Sequence, residues 1–474
     1  MVFTSLRFVG FFLVVYALYR SLPHRGQNWL LLAASYYFYG AWDWRFLGLL
    51  VGSTVVDFAM ARVIAATDDP RRRRLAVIAS LTYNLGVLAF FKYFNFFESS
   101  AAELARAVGL HLDVVTLHVV LPIGISFYTF MTISYVIDVY RREIEPTRNL
   151  VDFALFVSYF PHLIAGPILR ASRLLPQIAR PRTITRQQIV DGLWLIAWGT
   201  FQKLFVADNL ARIVSPVFDP AASPTGADVL LGVYAFAFQI LGDFAGYSNI
   251  ARGLSKLMGI ELNVNFLFPY FVISPREFWR NWHISLSTWL RDYLYIPLGG
   301  SRGTTAKTIR NIVITMVLGG LWHGAAWTFV LWGAYQAAIQ IAGRAVQAAT
   351  DRLGWTIGPG FGWRRLLAGI LMFHVTCYGW LVFRAESVHQ VSAFTRLLLF
   401  DFRPGPDTFR ALAWPMIQIV TPFVLVQIYQ ARRGTDLAVI DLPAPARYAV
   451  YGAVCYLILL FGNFAGAEFI YFQF

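Results

Sequence analysis

The sequence predicts an all-α integral membrane protein, and three observations predict it. Of 474 residues, 57% are hydrophobic and 14% charged, against the roughly 25% charged expected of a soluble domain. Mean hydropathy is +0.55. Apolar runs recur from "FVGFFLVVYALY" near the start, through "LAVIASLTYNLGVLAFF" and "VLLGVYAFAFQIL", to "LLAGILMFHVTCYGWLVF" and "VYGAVCYLILLFGNF". At about 20 residues per spanning helix they amount to roughly ten to twelve crossings. These form a single polytopic domain over residues 1–474, with no room for a large soluble domain. The net charge of +14 comes as Arg in short loops between apolar runs, which reads as topology and excludes a nucleic-acid partner. The first run lacks a Lys-rich leader and a small-residue cleavage site, so it is expected to stay as a helix. Cys377 and Cys455 both lie in apolar runs, which argues against a disulfide framework or a thiolate metal site. No metal-ligand spacing, phosphate loop or dinucleotide fingerprint is present.

The charged loops assign sides. Arg20 and Arg25 follow the first span, "DDPRRRR" (68–74) the third and "YRREIEPTR" (140–148) the fifth, whereas loops 98–118 and 214–227 hold one Arg and none. With the Arg-rich loops in the cytoplasm, the N-terminus lies outside and the alternation is regular through residue 140. "VDFALFVSYFPHLIAGPILR" (151–170) breaks it, being apolar enough to cross yet basic on both flanks. With Pro161 and Pro167 interrupting the helix, this stretch is expected to be re-entrant and covered by protein or a water-filled cavity. The conflict recurs between 299–310 and 343–365, which both look cytoplasmic. The 31 residues from 311 to 341, with Gly319 and Gly320 near the centre, are either one broken span or two half-helices turning back near His323. The basic flanks favour the second, each half then reaching about mid-membrane. No inverted repeat of the transporter kind is visible.

Three stretches hold the chemistry. His323 sits in "MVLGGLWHGAAWTFVLWGAYQ" (316–336), a run without an acid, Lys or Arg. An imidazole at membrane depth either bonds a neighbouring carbonyl for packing or faces a functional path. Gly319, Gly320 and Gly324 are expected to leave room at the ring, with Trp322 and Trp327 as walls. A neutral imidazole suits general-base duty near neutral pH. The second stretch, "SPREFWRNWHISLSTWLRDYLYIPLGGSR" (274–302), begins a helix at Pro275 and ends it at "PLGG". Helical spacing puts Arg276, Arg280, His283 and Ser287 on one face. That is either a basic, Trp-rich interfacial helix or the wall of a cavity whose arginines attract a phosphate-bearing donor such as coenzyme A. In the third stretch, "QILGDFAGYSNIARG" (239–253), Asp243 interrupts an apolar span and must have a partner. With Tyr247 and Asn249 it is a candidate to line a polar tunnel or orient an imidazole. His162, and the pair His374 and Cys377, are lesser candidates expected to serve packing.

"EFWRNWHISLSTWLRDYLYIPLGG", followed 40 residues after His283 by "GGLWHGAAWTFVLWG", resembles the membrane-bound O-acyltransferase family, in its bacterial alginate O-acetylation branch. "GISFYTFMTISYVIDVYR" (124–141), "FPHLIAGPILR" (160–170) and "FIYFQF" (469–474) resemble the same branch. The chain departs from it at Ala245 and Asn249, where "DFSGYSD" is commoner, and at Asn281, where a basic residue is common. The resemblance implies helices around a central funnel, with His323 at the family's catalytic His and His283 at its second motif position. It implies acetyl-CoA as donor, with no bound cofactor. The acetyl group would leave the bacterial inner membrane through a periplasmic esterase-like partner that decorates an exported polysaccharide. Two other classes compete: a proton-coupled transporter or flippase, and a passive scaffold of an export complex.

Overall fold

The computed structural model describes residues 1–110, 117, 120–164, 166–354, 362–464, 469 and 470. Part of the 98–118 loop and the last four residues of "FIYFQF" lie outside the described residues. The chain divides into two compact units, one of residues 1–192 and 251–263, the other of 193–250 and 264–474. Each is described by itself.

The described residues form helices and no strands. In order they are α1 (Leu6–Ser21), α2 (His24–Asp43), α3 (Leu47–Ala65), α4 (Pro70–Leu88), α5 (Phe94–Ala107), α6 (Ile125–Tyr140), α7 (Leu150–Ser158), α8 (Phe160–Leu163), α9 (Ala171–Ala179) and α10 (Arg186–Thr200). There follow α11 (Asp208–Phe218), α12 (Gly226–Leu257), α13 (Pro275–Asn281), α14 (Ile284–Leu290), α15 (Thr305–His323), α16 (Trp327–Arg352), α17 (Trp363–Arg384), α18 (Val388–Phe400), α19 (Trp414–Arg433) and α20 (Ala444–Phe461). Among the described residues, seven stretches are long and apolar enough to cross a membrane, and the first, His24–Ala65, carries both α2 and α3. The expected ten to twelve crossings also counted the runs that form α1 and α6, which are apolar but 16 residues long.

In the first unit α3, α4 and α6 pack together around a polar knot. Asp57 accepts from Ser80 Oγ at 2.5 Å and from Asn84 Nδ2 at 2.8 Å, and Ser53 Oγ donates to Asn84 Oδ1 at 2.6 Å. A carboxylate among apolar helices requires partners of this kind. The stretch at 151–170 is interrupted as expected: α7 ends at Ser158, one turn of α8 follows from Phe160, and residues 167–170 are not helical. Protein covers it, since Phe153 to Leu163 is buried throughout. Phe160 N donates to Ser35 Oγ at 3.0 Å, and His162 Nε2 lies 3.1 Å from the Phe156 carbonyl, which gives His162 the packing role.

In the second unit, glycines set two close helix crossings. A Cβ at Gly199 would strike the Gly246 carbonyl, and one at Gly242 the Gln202 carbonyl. The small-xxx-small spacing of Gly242 and Gly246 thus lets α12 lie against the segment after α10. The second crossing folds α15 onto α16, where a Cβ on Gly320 would meet the Phe329 carbonyl and Gly333, and one on Gly333 the Met316 carbonyl. The turn between them, Gly324 to Ala326, follows His323 directly. The chain therefore does turn back there, but the arms are longer than half-helices. At 1.5 Å per residue, their 19 and 26 residues span about 28 and 39 Å.

Candidate active site

The site is built in the second unit. His323 is the last residue of α15, 4% exposed. Three rings box it, nearly edge-on: Trp322 at 5.1 Å, Trp332 of α16 at 5.0 Å and Phe383 of α17 at 5.3 Å between centroids. The glycines beside it serve packing, contrary to expectation. Gly320 makes the helix crossing, the Phe329 ring fills the space a Gly324 side chain would need, and Leu290 approaches Gly319. Trp327, the first residue of α16, is 55% exposed.

His283 also meets the Trp322 indole, whose ring centroid is 5.9 Å from its own. The predicted single helix over 275–296 is broken here. α13 stops at Asn281, α14 starts at Ile284, and His283 between them takes the left-handed conformation with φ 42°. A non-glycine residue in that region is strained, and Asn265 holds it. The Asn265 side-chain oxygen accepts from Ser285 N at 3.2 Å and Ser285 Oγ at 2.9 Å, and lies 3.2 Å from His283 Nδ1. Its backbone oxygen accepts from Ile284 N at 2.9 Å. With Nδ1 donating to Asn265, the lone pair of the imidazole lies on Nε2. Phe244 of α12 closes the opposite edge at 4.6 Å.

Because of the break, the four residues expected on one face separate. Arg276 and Arg280 are exposed on α13, whereas His283 is fully buried. Ser287 lines a pocket of about 160 Å³ together with Trp279, Leu290, Arg291, Thr315 and Arg344. Arg291 belongs to a π-helical turn, Arg291–Tyr295, a distortion frequent at functional sites. Trp279 packs on Trp332 at 6.0 Å, so one indole separates this pocket from the ring against His323. The walls of the pocket do not include His323 itself.

Asp243 has the partner it needs. Lys203, in the π-helical turn Phe201–Ala207, lies 2.7 Å from Asp208 and 2.8 Å from Asp243, all three side chains almost wholly buried. Asp243 Oδ2 also accepts the Ile470 backbone N–H at 2.6 Å. Tyr247 lies beneath the Lys203 ammonium at 5.5 Å and meets Phe469 edge-on at 4.6 Å, and Asn249 donates to Gln202 at 2.8 Å. Sequence reasoning missed Lys203 and Asp208. The available signal was a lysine inside the apolar run "WGTFQKLF", since ionisable groups at that depth demand an explanation. His374 and Cys377 form no nucleophile pair, because His374 is bonded to Tyr234 Oη at 2.6 Å and to the Ile370 carbonyl at 2.8 Å.

The second unit thus holds two buried imidazoles against the same Trp322 indole, in a helical chain with long apolar stretches. The chain belongs to the membrane-bound O-acyltransferase family, whose sequence model matches residues 80–379, a stretch containing both His283 and His323. It is 45% identical to "Probable alginate O-acetylase AlgI" of Azotobacter vinelandii over 82% of this chain and 76% of that protein. It is 34% identical to "Peptidoglycan O-acetyltransferase" of Helicobacter pylori over 82% of this chain and 76% of that one. With "Teichoic acid D-alanyltransferase" of Bacillus subtilis the identity is 26%, over 56% of this chain and 70% of the relative. The protein is a membrane-embedded O-acyltransferase.

Proposed function

We propose that this enzyme takes an acetyl group from acetyl-CoA at the cytoplasmic face of a bacterial inner membrane and passes it to a hydroxyl for O-acetylation of an exported polysaccharide. His323 is the general base. Its imidazole accepts the proton of the acceptor hydroxyl as that oxygen attacks the thioester carbonyl; the carbon–sulfur bond then breaks and the thiolate takes a proton as it leaves. The coenzyme, with its charged phosphates, stays on the side from which it came, so no ion gradient is needed. An exported esterase-like protein receives the acetyl group and modifies the polymer.

The observation that carries this reading is the placement of His323 at the turn of the α15–α16 hairpin, two packed indoles, Trp332 and Trp279, away from a pocket lined by Arg291 and Arg344. Guanidinium groups suit phosphate. The names of the relatives support acetyl as the acyl group and a glycan as the final acceptor. His283, with its lone pair on Nε2, positions the donor or shuttles a proton. A positioned base contributes about 10²- to 10⁴-fold, and orientation in a dry site supplies the rest.

The test uses purified full-length protein with radiolabelled acetyl-CoA, read as free coenzyme A released and label transferred. His323→Ala is expected to reduce both at least 10²-fold while keeping the wild-type melting profile. Release by the variant at the wild-type rate would remove His323 from the chemistry and leave the transporter and scaffold readings standing.

A further inference from the structure

A larger groove, of about 740 Å³, lies elsewhere in the second unit, walled by α12, the 270–273 loop, α17 and α19. Arg365, in the first turn of α17, and Arg432, in the last turn of α19, both line it. Neither forms an ion pair among the described residues. Apart from His374 and Gln427, the rest of the wall is apolar and aromatic, with Phe238, Tyr270, Phe373 and Phe423 in it. From Arg365 to Phe373 and from Arg432 to Phe423 the helices advance eight and nine residues, about 12 and 13.5 Å. The two cations thus share one end of the groove and the phenyl rings lie a little over two turns deeper.

We propose that this groove is a binding site for an anionic glycerophospholipid, with the headgroup phosphate between Arg365 and Arg432 and an acyl chain along the phenyl rings. The chemistry of the walls selects that occupant. Two guanidinium groups without carboxylate partners among the described residues suit an anion, and the apolar length behind them suits a hydrocarbon tail joined to it. Basic pockets between spanning helices at the Arg-rich end are the recurrent form of acidic-lipid recognition, and that end is cytoplasmic by the positive-inside bias. The outer rim of α17 is already lipid-facing, with Leu366 and Ile370 about half exposed.

The occupant would also bear on the reaction centre. Tyr270 donates its hydroxyl hydrogen to the Ala237 carbonyl at 2.5 Å, and its ring meets Phe373 at 5.5 Å and Trp282 at 6.2 Å. Trp282 is the residue before His283. A chain pressed against Phe373 and Tyr270 therefore steadies the aromatic stack that backs the left-handed turn.

The experiment is native mass spectrometry of the full chain in micelles offered equimolar phosphatidylglycerol and phosphatidylcholine, followed by thermal scans in nanodiscs of each lipid. The wild type is expected to retain one phosphatidylglycerol at least tenfold in preference to phosphatidylcholine. The double variant Arg365→Gln/Arg432→Gln loses the preference, and Phe373→Trp, which fills the groove, loses retention of both lipids. Equal retention of the two lipids by the wild type, or undiminished preference in the double variant, overturns the proposal. So does wild-type lipid retention in a Phe373→Trp protein with a normal melting profile. The readout is independent of the acyl-transfer assay.

Discussion

Replacing Lys203 by Met keeps the length of the side chain and removes the ammonium that sits 2.7 Å from Asp208 and 2.8 Å from Asp243. All three groups are only 2–3% exposed, so water cannot take over the solvation of the carboxylates. Taking one partner from a buried ion pair costs about 3–5 kcal/mol, because the remaining charge is stranded. Here a single cation serves two carboxylates, which places the substitution at the upper end of that range. For a unit of this size, about 2 °C per kcal/mol lowers the apparent melting temperature by roughly 10 °C. Intrinsic Trp fluorescence at a fixed scan rate in one detergent is the appropriate assay, since an irreversible transition is comparable only at equal rate. The control is Lys203→Met combined with Asp208→Asn and Asp243→Asn. Exchanging a whole buried ion set for neutral groups is close to neutral or stabilising, so the triple variant regains most of the loss. Acyl transfer behaves differently. Asp243 also anchors the Ile470 amide, and its neighbour Phe244 packs on His283, so the triple variant recovers stability without recovering the full rate. A single variant within 1–2 °C of wild type, on the roughly 2 °C per kcal/mol scale, or a triple variant no more stable than the single, would refute the charge argument.

Three further outcomes follow from the geometry. Gly320→Ala forces a methyl into the Phe329 carbonyl and Gly333 at the α15–α16 crossing, and is expected to cost at least the 1–3 kcal/mol typical of overpacking, read as a lower melting temperature and reduced folded yield. Asn265→Ala removes the acceptor shared by Ser285 and His283, at about 1–3 kcal/mol, and lowers kcat; Asn265→Asp, which keeps an acceptor, restores much of it. Arg291→Gln/Arg344→Gln, at the pocket rim, is expected to raise KM for acetyl-CoA roughly tenfold or more, from the 1.5–3 kcal/mol of a charged hydrogen bond. The same variant leaves a short acetyl thioester without phosphates unaffected, and equal KM effects on both donors would place the phosphates elsewhere.

What the sequence disclosed and what it concealed divide along a physical line. That Asp243 needs a partner is visible in one dimension, because an acid in an apolar span has no other way to persist. That the partner is Lys203, 40 residues away, depends on Gly199, Gly242 and Gly246 bringing two helices into contact, which periodicity does not report. The turn after His323 is readable from the basic flanks, but spacing alone does not show that Gly320 serves the crossing of α15 and α16 and that the Phe329 ring fills the space at Gly324. The left-handed conformation of His283 had no local signal at all, since "NWHI" contains neither Gly nor Pro and the strain is offset by Asn265 in a different loop.

The aromatic box around His323 was likewise invisible, because Trp332 and Phe383 come from other helices. Its closure bears on the proposed reaction. A base open at once to the thioester and to bulk water would hydrolyse the donor, and closing a site against water is how a transferase avoids that side reaction. With Trp332 against His323 and Trp279 between Trp332 and the arginine-lined pocket, a thioester entering from that pocket reaches the imidazole when these indoles move. On that mechanism, Trp332→Ala raises hydrolysis of acetyl-CoA in the absence of acceptor while transfer to the acceptor falls. A variant that loses both in parallel would instead make Trp332 a packing residue and leave the entry route to be sought on another side of the ring.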